Sequence, residues 1–130
     1  MPNATDLLIV DDDADYRSTL VRRFQRRGYV VQDACDGITA LELAARRQFD
    51  VAIVDMTMPG ISGLEVLEKL KTIQPECEVI MHTAEATIET AVKAMKMGAY
   101  DYLTKPCSMA ECEALVEKAA ERCQLTKENL

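Results

Sequence analysis

Short apolar runs and helical spacings alternate five times along this chain. The apolar runs are DLLIV (6–10), YVVQDA (29–34), VAIV (51–54), EVIMHT (78–83) and DYL (101–103). Between them, apolar residues recur three and four positions apart, the spacing of one helix face. Leu20, Val21 and Phe24 mark a first helix that Gly28 ends, and Ile38, Leu41 and Ala45 mark a second. Val66, Leu67, Leu70 and Ile73 mark a third, behind Ser62 and Glu65 at capping-box spacing. Ile88, Ala91, Val92 and Met95 give an i, i+3, i+4, i+7 face that stops at Gly98. A last helix, about 109–125, opens on Ser108 and Glu111 and is expected to bury Cys112, Leu115, Val116 and Ala119. Its end, KAAERCQLTKENL, has no Gly or Pro stop, so it reads either as running on into a linker or as a polar terminus.

Five strand-then-helix repeats imply right-handed crossovers and a parallel sheet. VAIV does not alternate polar and apolar residues, as expected for a strand covered on both faces. The expected fold is therefore α/β: a five-stranded parallel sheet with helices on both faces, in strand order 2-1-3-4-5. Residues 1–130 read as one domain, with no internal linker.

In such a sheet, ligands bind beyond the carboxyl ends of the strands, where strand order reverses. Polar residues gather at those ends: Asp11, Asp12 and Asp13 after the first strand, and Asp55 after the third. His82 and Thr83 close the fourth, and Lys105 and Pro106 follow the fifth. With the first and third strands adjacent, Asp11, Asp12 and Asp55 converge. Crowded carboxylates repel, and a hard divalent cation such as Mg²⁺, which takes oxygen ligands, relieves the repulsion. Lys105 adds a fixed positive charge and Thr83 a hydroxyl. A metal, an ammonium and a hydroxyl around one carboxylate form a cradle for a phosphoryl group, with Asp55 as nucleophile. Asp13, directly before the first helix, reads as its N-cap. His82 falls on the face of its strand opposite Thr83 and reads as a packing or surface residue.

Composition narrows the partners. The net charge of −7 argues against direct nucleic-acid binding by this domain. No apolar run approaches a membrane span, and the start MPNATD has no signal-peptide pattern, so the expected compartment is the cytoplasm. Five cysteines and one histidine, without metal-ligand spacing, read mostly as buried thiols. The single basic cluster, Arg17, Arg22, Arg23, Arg26 and Arg27, is either a solvated helix face or a docking face for an acidic partner.

LLIVDDD, VDMTMPGISG, HTA and AYDYLTKP together resemble, in order and spacing, the receiver domain of bacterial two-component response regulators, whose fold is flavodoxin-like. The resemblance implies that a sensor histidine kinase phosphorylates Asp55. It implies that Asp11, Asp12, Asp55 and the backbone carbonyl of Thr57 hold Mg²⁺, and that Thr83 and Tyr102 move when the switch is thrown. It also implies a partner surface on the fourth helix, fifth strand and fifth helix, for an output domain or a homodimer, and a cis Lys105–Pro106 bond. Family members usually carry a bulky residue where this chain has Cys107, while Thr57 and Glu85 occupy positions that tune hydrolysis of the aspartyl phosphate. The TIETAVKAMKMGAYDYLTKP segment looks most like receivers of enhancer-binding transcription activators, although a free-standing single-domain regulator fits as well. A haloacid-dehalogenase-like phosphohydrolase is the rival reading, with Asp11 as nucleophile and Asp13 as its partner acid. The third reading is a binding module that keeps the fold without the phosphorylation.

Overall fold

A computed structural model describes residues 4–128. The reading of the extreme amino terminus, and of how the last helix continues past Glu128, lies outside the described residues. Strands β1 (Asp6–Val10), β2 (Val30–Ala34), β3 (Val51–Val54), β4 (Glu78–Thr83) and β5 (Asp101–Thr104) alternate with five helices. These are α1 (Ala14–Arg26), α2 (Gly37–Arg46), α3 (Gly63–Ile73), α4 (Ile88–Lys96) and α5 (Met109–Glu128). All strand pairs are parallel and the order is β2-β1-β3-β4-β5, as expected.

The sheet separates two apolar layers. Leu7, Ile9, Val51, Ile53 and Ile80 point to α1 and α5, where they meet Leu20, Phe24, Cys112, Val116 and Ala119. Leu8, Val10, Ala52, Val54, Val79 and Met81 point the other way, onto Ala40 and Ala44 of α2, Val66, Leu67 and Leu70 of α3, and Ala94 of α4. This two-sided burial is why VAIV shows no alternation. Each fully buried Leu or Val contributes about 1.5–3 kcal/mol relative to exposure. Local signals set the helix ends. Asp13, Asp36 and Ser62 each accept a backbone N–H of the first turn as N-caps, and Gly28 and Gly98 take positive φ just past the ends of α1 and α4. Ser108 likewise accepts the Glu111 N–H at the start of α5.

Four helix faces differ from the sequence expectation. On α4, Ile88, Val92 and Met95 are exposed, at 85%, 46% and 45%, and Ala94 is the buried residue. This helix packs against β5 at the edge of the sheet and turns Ala94, rather than the larger apolar stripe, into the core. On α2 the buried stripe is Gly37, Ala40 and Ala44, whereas Ile38 and Ala45 face solvent. Ile61 and Val66 sit so close to Gly37 that a side chain there would collide with them, so the small residues face inward. Ile73 of α3 is exposed, and on α5 Leu115 is half-buried while Glu113 joins the buried set.

All five cysteines are free; Cys77, Cys112 and Cys123 are buried, Cys107 is half-buried and Cys35 is exposed. The basic cluster on α1 divides. Arg17 pairs with Asp33, and Arg23 and Arg27 reach Glu113 of α5, so these three are tied to the domain itself. Arg22 bonds Ser18 within its own helix. Among the described residues no helix is long and apolar enough to cross a membrane.

Candidate functional site

The sheet register assembles the site. Val10 of β1 lies opposite Val54 of β3, so the next residues, Asp11 and Asp55, leave the sheet side by side. Both stay fastened to it: the Asp55 N–H donates to the Val10 carbonyl at 2.9 Å and the Asp11 N–H to the Ala34 carbonyl at 3.1 Å. On the other side, Thr83 lies opposite Thr104 of β5, and the Lys105 N–H donates to the Thr83 carbonyl at 2.8 Å. The Lys105–Pro106 bond is cis.

Asp11, Asp12 and Asp55 bring carboxylate oxygens within 4.8 Å of one another; Asp11 and Asp55 are buried and Asp12 is exposed. Lys105 Nζ donates to Asp11 Oδ2 at 2.7 Å and lies 3.5 Å from Asp55 Oδ2, bridging the two buried carboxylates. Asp11 Oδ1 accepts the Asp13 N–H at 2.9 Å, and Asp55 Oδ1 accepts the Thr57 N–H at 3.2 Å. Burial pushes the Asp55 carboxyl above its ordinary pKa. The Lys105 charge and the Thr57 N–H pull it back, and Asp11 and Asp12 push it up again. Burial alone would lower the Lys105 ammonium, but its bond to Asp11 and the charges of Asp11 and Asp55 outweigh that and hold it above its usual value. Three carboxylates against one ammonium leave negative charge in excess. This hard, all-oxygen donor set, open to solvent at Asp12, fits a divalent cation that keeps several waters.

The other expected residues lie around this centre. Thr83 is buried and its Oγ1 accepts the Glu85 N–H at 3.2 Å. Tyr102 is half-buried, with its hydroxyl 3.0 Å from Thr90 Oγ1 in the first turn of α4, and Thr90 in turn closes a capping box with Thr87. Asp13 caps α1 by accepting the Tyr16 N–H at 3.1 Å.

Three further residues meet this centre: Gly63 and Tyr16, for which the sequence predicts no role, and His82, which it places only as packing or surface. Gly63 opens α3 directly beneath the acid pocket: a Cβ there would strike the Asp55 carbonyl oxygen and Met56 Cα. A glycine between an N-cap serine and an apolar helix face is a readable sign of close backbone approach. Tyr16 places its ring under Lys105, with Nζ 4.7 Å from the centroid. His82 is fully buried, and its Nε2 meets the Tyr16 hydroxyl at 3.2 Å and Cys107 Sγ at 3.5 Å. Contacts across 66 residues of chain leave no periodic trace to read.

Known proteins share this fold and sequence pattern. The family model of the response regulator receiver domain matches residues 7–117. The transcriptional regulatory protein ZraR of Escherichia coli O157:H7 is 39% identical over 114 residues, 88% of this chain and 26% of that protein. The chain thus spans about a quarter of the length of the curated relatives it matches. A CheY-like receiver domain protein of Methanospirillum hungatei superposes with a TM-score of 0.92 at 26% identity, covering 95% of this chain and 99% of that one. A Burkholderia pseudomallei response regulator, solved with a phosphorylated aspartic acid, a calcium ion and citrate, gives 0.83 at 34% identity, over 95% and 72%. By motif, topology and sequence, this chain belongs to the response regulator receiver domain family.

Proposed function

We propose that the chain is a phosphorylation-activated signalling switch in which Asp55 accepts a phosphoryl group from the phosphohistidine of a sensor histidine kinase. The observation that carries this reading is the bridging of two buried carboxylates by one ammonium, Lys105 between Asp11 and Asp55, at the point where strand order reverses. An Asp55 carboxylate oxygen bonds to phosphorus as the phosphorus–nitrogen bond breaks. The electron pair returns to the kinase imidazole, which takes a proton from solvent. Lys105 neutralises charge on the phosphoryl oxygens, and the Thr57 N–H holds the second Asp55 oxygen in line. Asp11, Asp12, Asp55 and the Thr57 carbonyl would hold Mg²⁺, which when bound supplies further positive charge to the phosphoryl oxygens. The calcium ion and phosphorylated aspartic acid of the Burkholderia relative support the same use of these groups.

The chain transfers the phosphoryl group to itself and loses it slowly to water, so it works as a switch rather than as a turnover enzyme. In its active state Thr83 leaves the Glu85 N–H for a phosphoryl oxygen, and Tyr102 leaves Thr90 to move inward. Near-complete switching needs about 5.5 kcal/mol of differential stabilisation between the two states. The apolar residues exposed on α4, the helix whose Thr90 meets Tyr102, suit a surface read by an output domain or a second copy. The domain is one receiver unit in the cytoplasm, with α5 leading toward an output domain. The names of the relatives support control of transcription as the output. The phosphohydrolase reading is less well supported: Asp13, its required second acid, is spent on capping α1, and Lys105 and the Asp13 N–H occupy both Asp11 oxygens.

The test is intact-mass spectrometry after incubation with acetyl phosphate. A Mg²⁺-dependent gain of one phosphoryl group, lost in Asp55→Asn, is expected. A gain that survives Asp55→Asn but disappears in Asp11→Asn would overturn the assignment, and no gain at all would leave a phosphorylation-independent binding module.

A further inference from the structure

We infer that Tyr16 is a positioning residue for phosphoryl acceptance, its ring face seating the Lys105 ammonium and its hydroxyl anchored on buried His82. The inference rests on the reading of Asp55 as acceptor and concerns how Lys105 is kept available to it. Lysine carries a point charge on a flexible four-carbon stem, so its reach must be limited by its surroundings. Here its shortest contact, 2.7 Å, is to Asp11 rather than to the acceptor, which lies 3.5 Å away. A lysine free to follow Asp11 would leave Asp55 without its counter-charge. The Tyr16 ring closes that escape: Nζ sits 4.7 Å from its centroid, within the range of cation–π attraction to the negative ring face.

The ring is itself held from three directions. The Tyr16 backbone N–H donates to Asp13, which fixes the first turn of α1. The next residue, Arg17, donates to the Asp11 carbonyl at 2.7 Å and pairs with Asp33, fastening that turn to the ends of β1 and β2. Its hydroxyl meets His82 Nε2 at 3.2 Å, with the two rings edge to face at 5.5 Å. Burial, with the nearby Cys107 and Cys112 thiols and Asp11, keeps the phenol protonated well beyond its ordinary range, so its hydroxyl stays available for the contact with Nε2 in either tautomer of the imidazole. Nδ1 has no hydrogen-bond partner. A buried nitrogen without a partner calls for an explanation. Here the explanation is that the imidazole is oriented by what its other nitrogen holds. His82 lies on the face of β4 opposite Thr83, so adjacent residues of one strand serve the pocket from two sides.

Two substitutions separate the ring face from the hydroxyl. Tyr16→Leu removes the face while filling similar space, and Tyr16→Phe keeps it. Two readouts are needed, and the first requires neither metal nor phosphodonor. The ε-CH₂ signal of Lys105, assigned with Lys105→Arg, should be shifted upfield by the ring in the native protein and in Tyr16→Phe, and should return to an ordinary position in Tyr16→Leu. The second is the acetyl phosphate reaction at saturating Mg²⁺: Tyr16→Leu should slow it about tenfold. Tyr16→Phe should recover most of that rate. In a Lys105→Met background, Tyr16→Leu should have no further effect, because the two act as one unit. If Asp55 is phosphorylated but the upfield shift is absent, or the two Tyr16 variants react alike, or the Leu effect persists without Lys105, the inference fails and the acceptor reading stands. If the shift is present but the native protein takes up no phosphoryl group, both fail.

Discussion

Lowering the pH from 7.5 to 4.5 should destabilise this domain through one identifiable side chain. His82 is the only histidine in the sequence. Burial, and secondarily the Lys105 ammonium, push its imidazole down to about 4, while Asp11 pulls weakly the other way. In the unfolded chain the same group titrates near 6.5. Between these values the unfolded state binds a proton that the native state does not, so stability rises with pH across the window. The contribution is complete above about 6.5 and is lost as the pH falls toward about 4. The full difference corresponds to about 3 kcal/mol, a large share of a typical domain's stability. The assay is urea unfolding followed by circular dichroism at closely spaced pH values, native against His82→Phe. Carboxylates titrate in both proteins and cancel in the difference. The gap between the two curves should change steadily from pH 6.5 to 4.5 and stay level above 7. Parallel curves throughout, or a native His82 ring signal titrating with a midpoint near 6.5, would refute the account of its burial.

The acid pocket carries the opposite sign. Asp55 has its pKa raised by burial and by Asp11 and Asp12, so its charge destabilises the metal-free fold above the carboxylate range. Asp55→Asn should therefore shift the urea midpoint upward at pH 7, and the gain should shrink as the pH falls through that range. Mg²⁺ should reverse the order: at ten times its dissociation constant it stabilises the native protein by about 1.4 kcal/mol, and the variant by much less. Gly63→Ala should cost about 1–3 kcal/mol, since the atoms in its way are backbone and cannot rotate aside, and it should slow acetyl phosphate uptake by displacing the Asp55 carbonyl. Glu113→Ala, which leaves Arg23 and Arg27 without their partner on α5, should cost about 1 kcal/mol in the same unfolding assay. Replacing Arg22 and Arg26 by Glu should change stability by less than about 0.5 kcal/mol, which makes that pair the cleaner probe of kinase docking.

What could be read from the sequence follows from which constraints are local. The strands were legible because burial on both faces forces unbroken apolar runs, and VAIV followed by Asp55 marks a strand end within one residue. The pocket was legible for a reason that only a parallel sheet provides: every carboxyl end lies on one edge, so polar residues that follow apolar runs must meet. That placed Asp11, Asp55, Thr83 and Lys105 together without any tertiary information. The faces of α2 and α4 were not legible, because periodicity reveals that a stripe exists but not which element covers it. Ile88, Val92 and Met95 satisfy the helical period as well as any core stripe. Yet Ala94, one position from that stripe, is the residue the core takes, because packing against the edge of the sheet, not periodicity, sets the rotation of α4 about its axis. The pairing of Tyr16 with His82 was hidden for a different reason. It depends on the rotation of α1 about its axis, which Asp13 and Arg17 fix through bonds to side chains and strand ends that no spacing rule encodes. A misplaced stripe of this kind carries information of its own. Apolar residues at core spacing that the fold leaves uncovered have no internal use, and on α4 they form an open face of the helix whose Thr90 meets Tyr102.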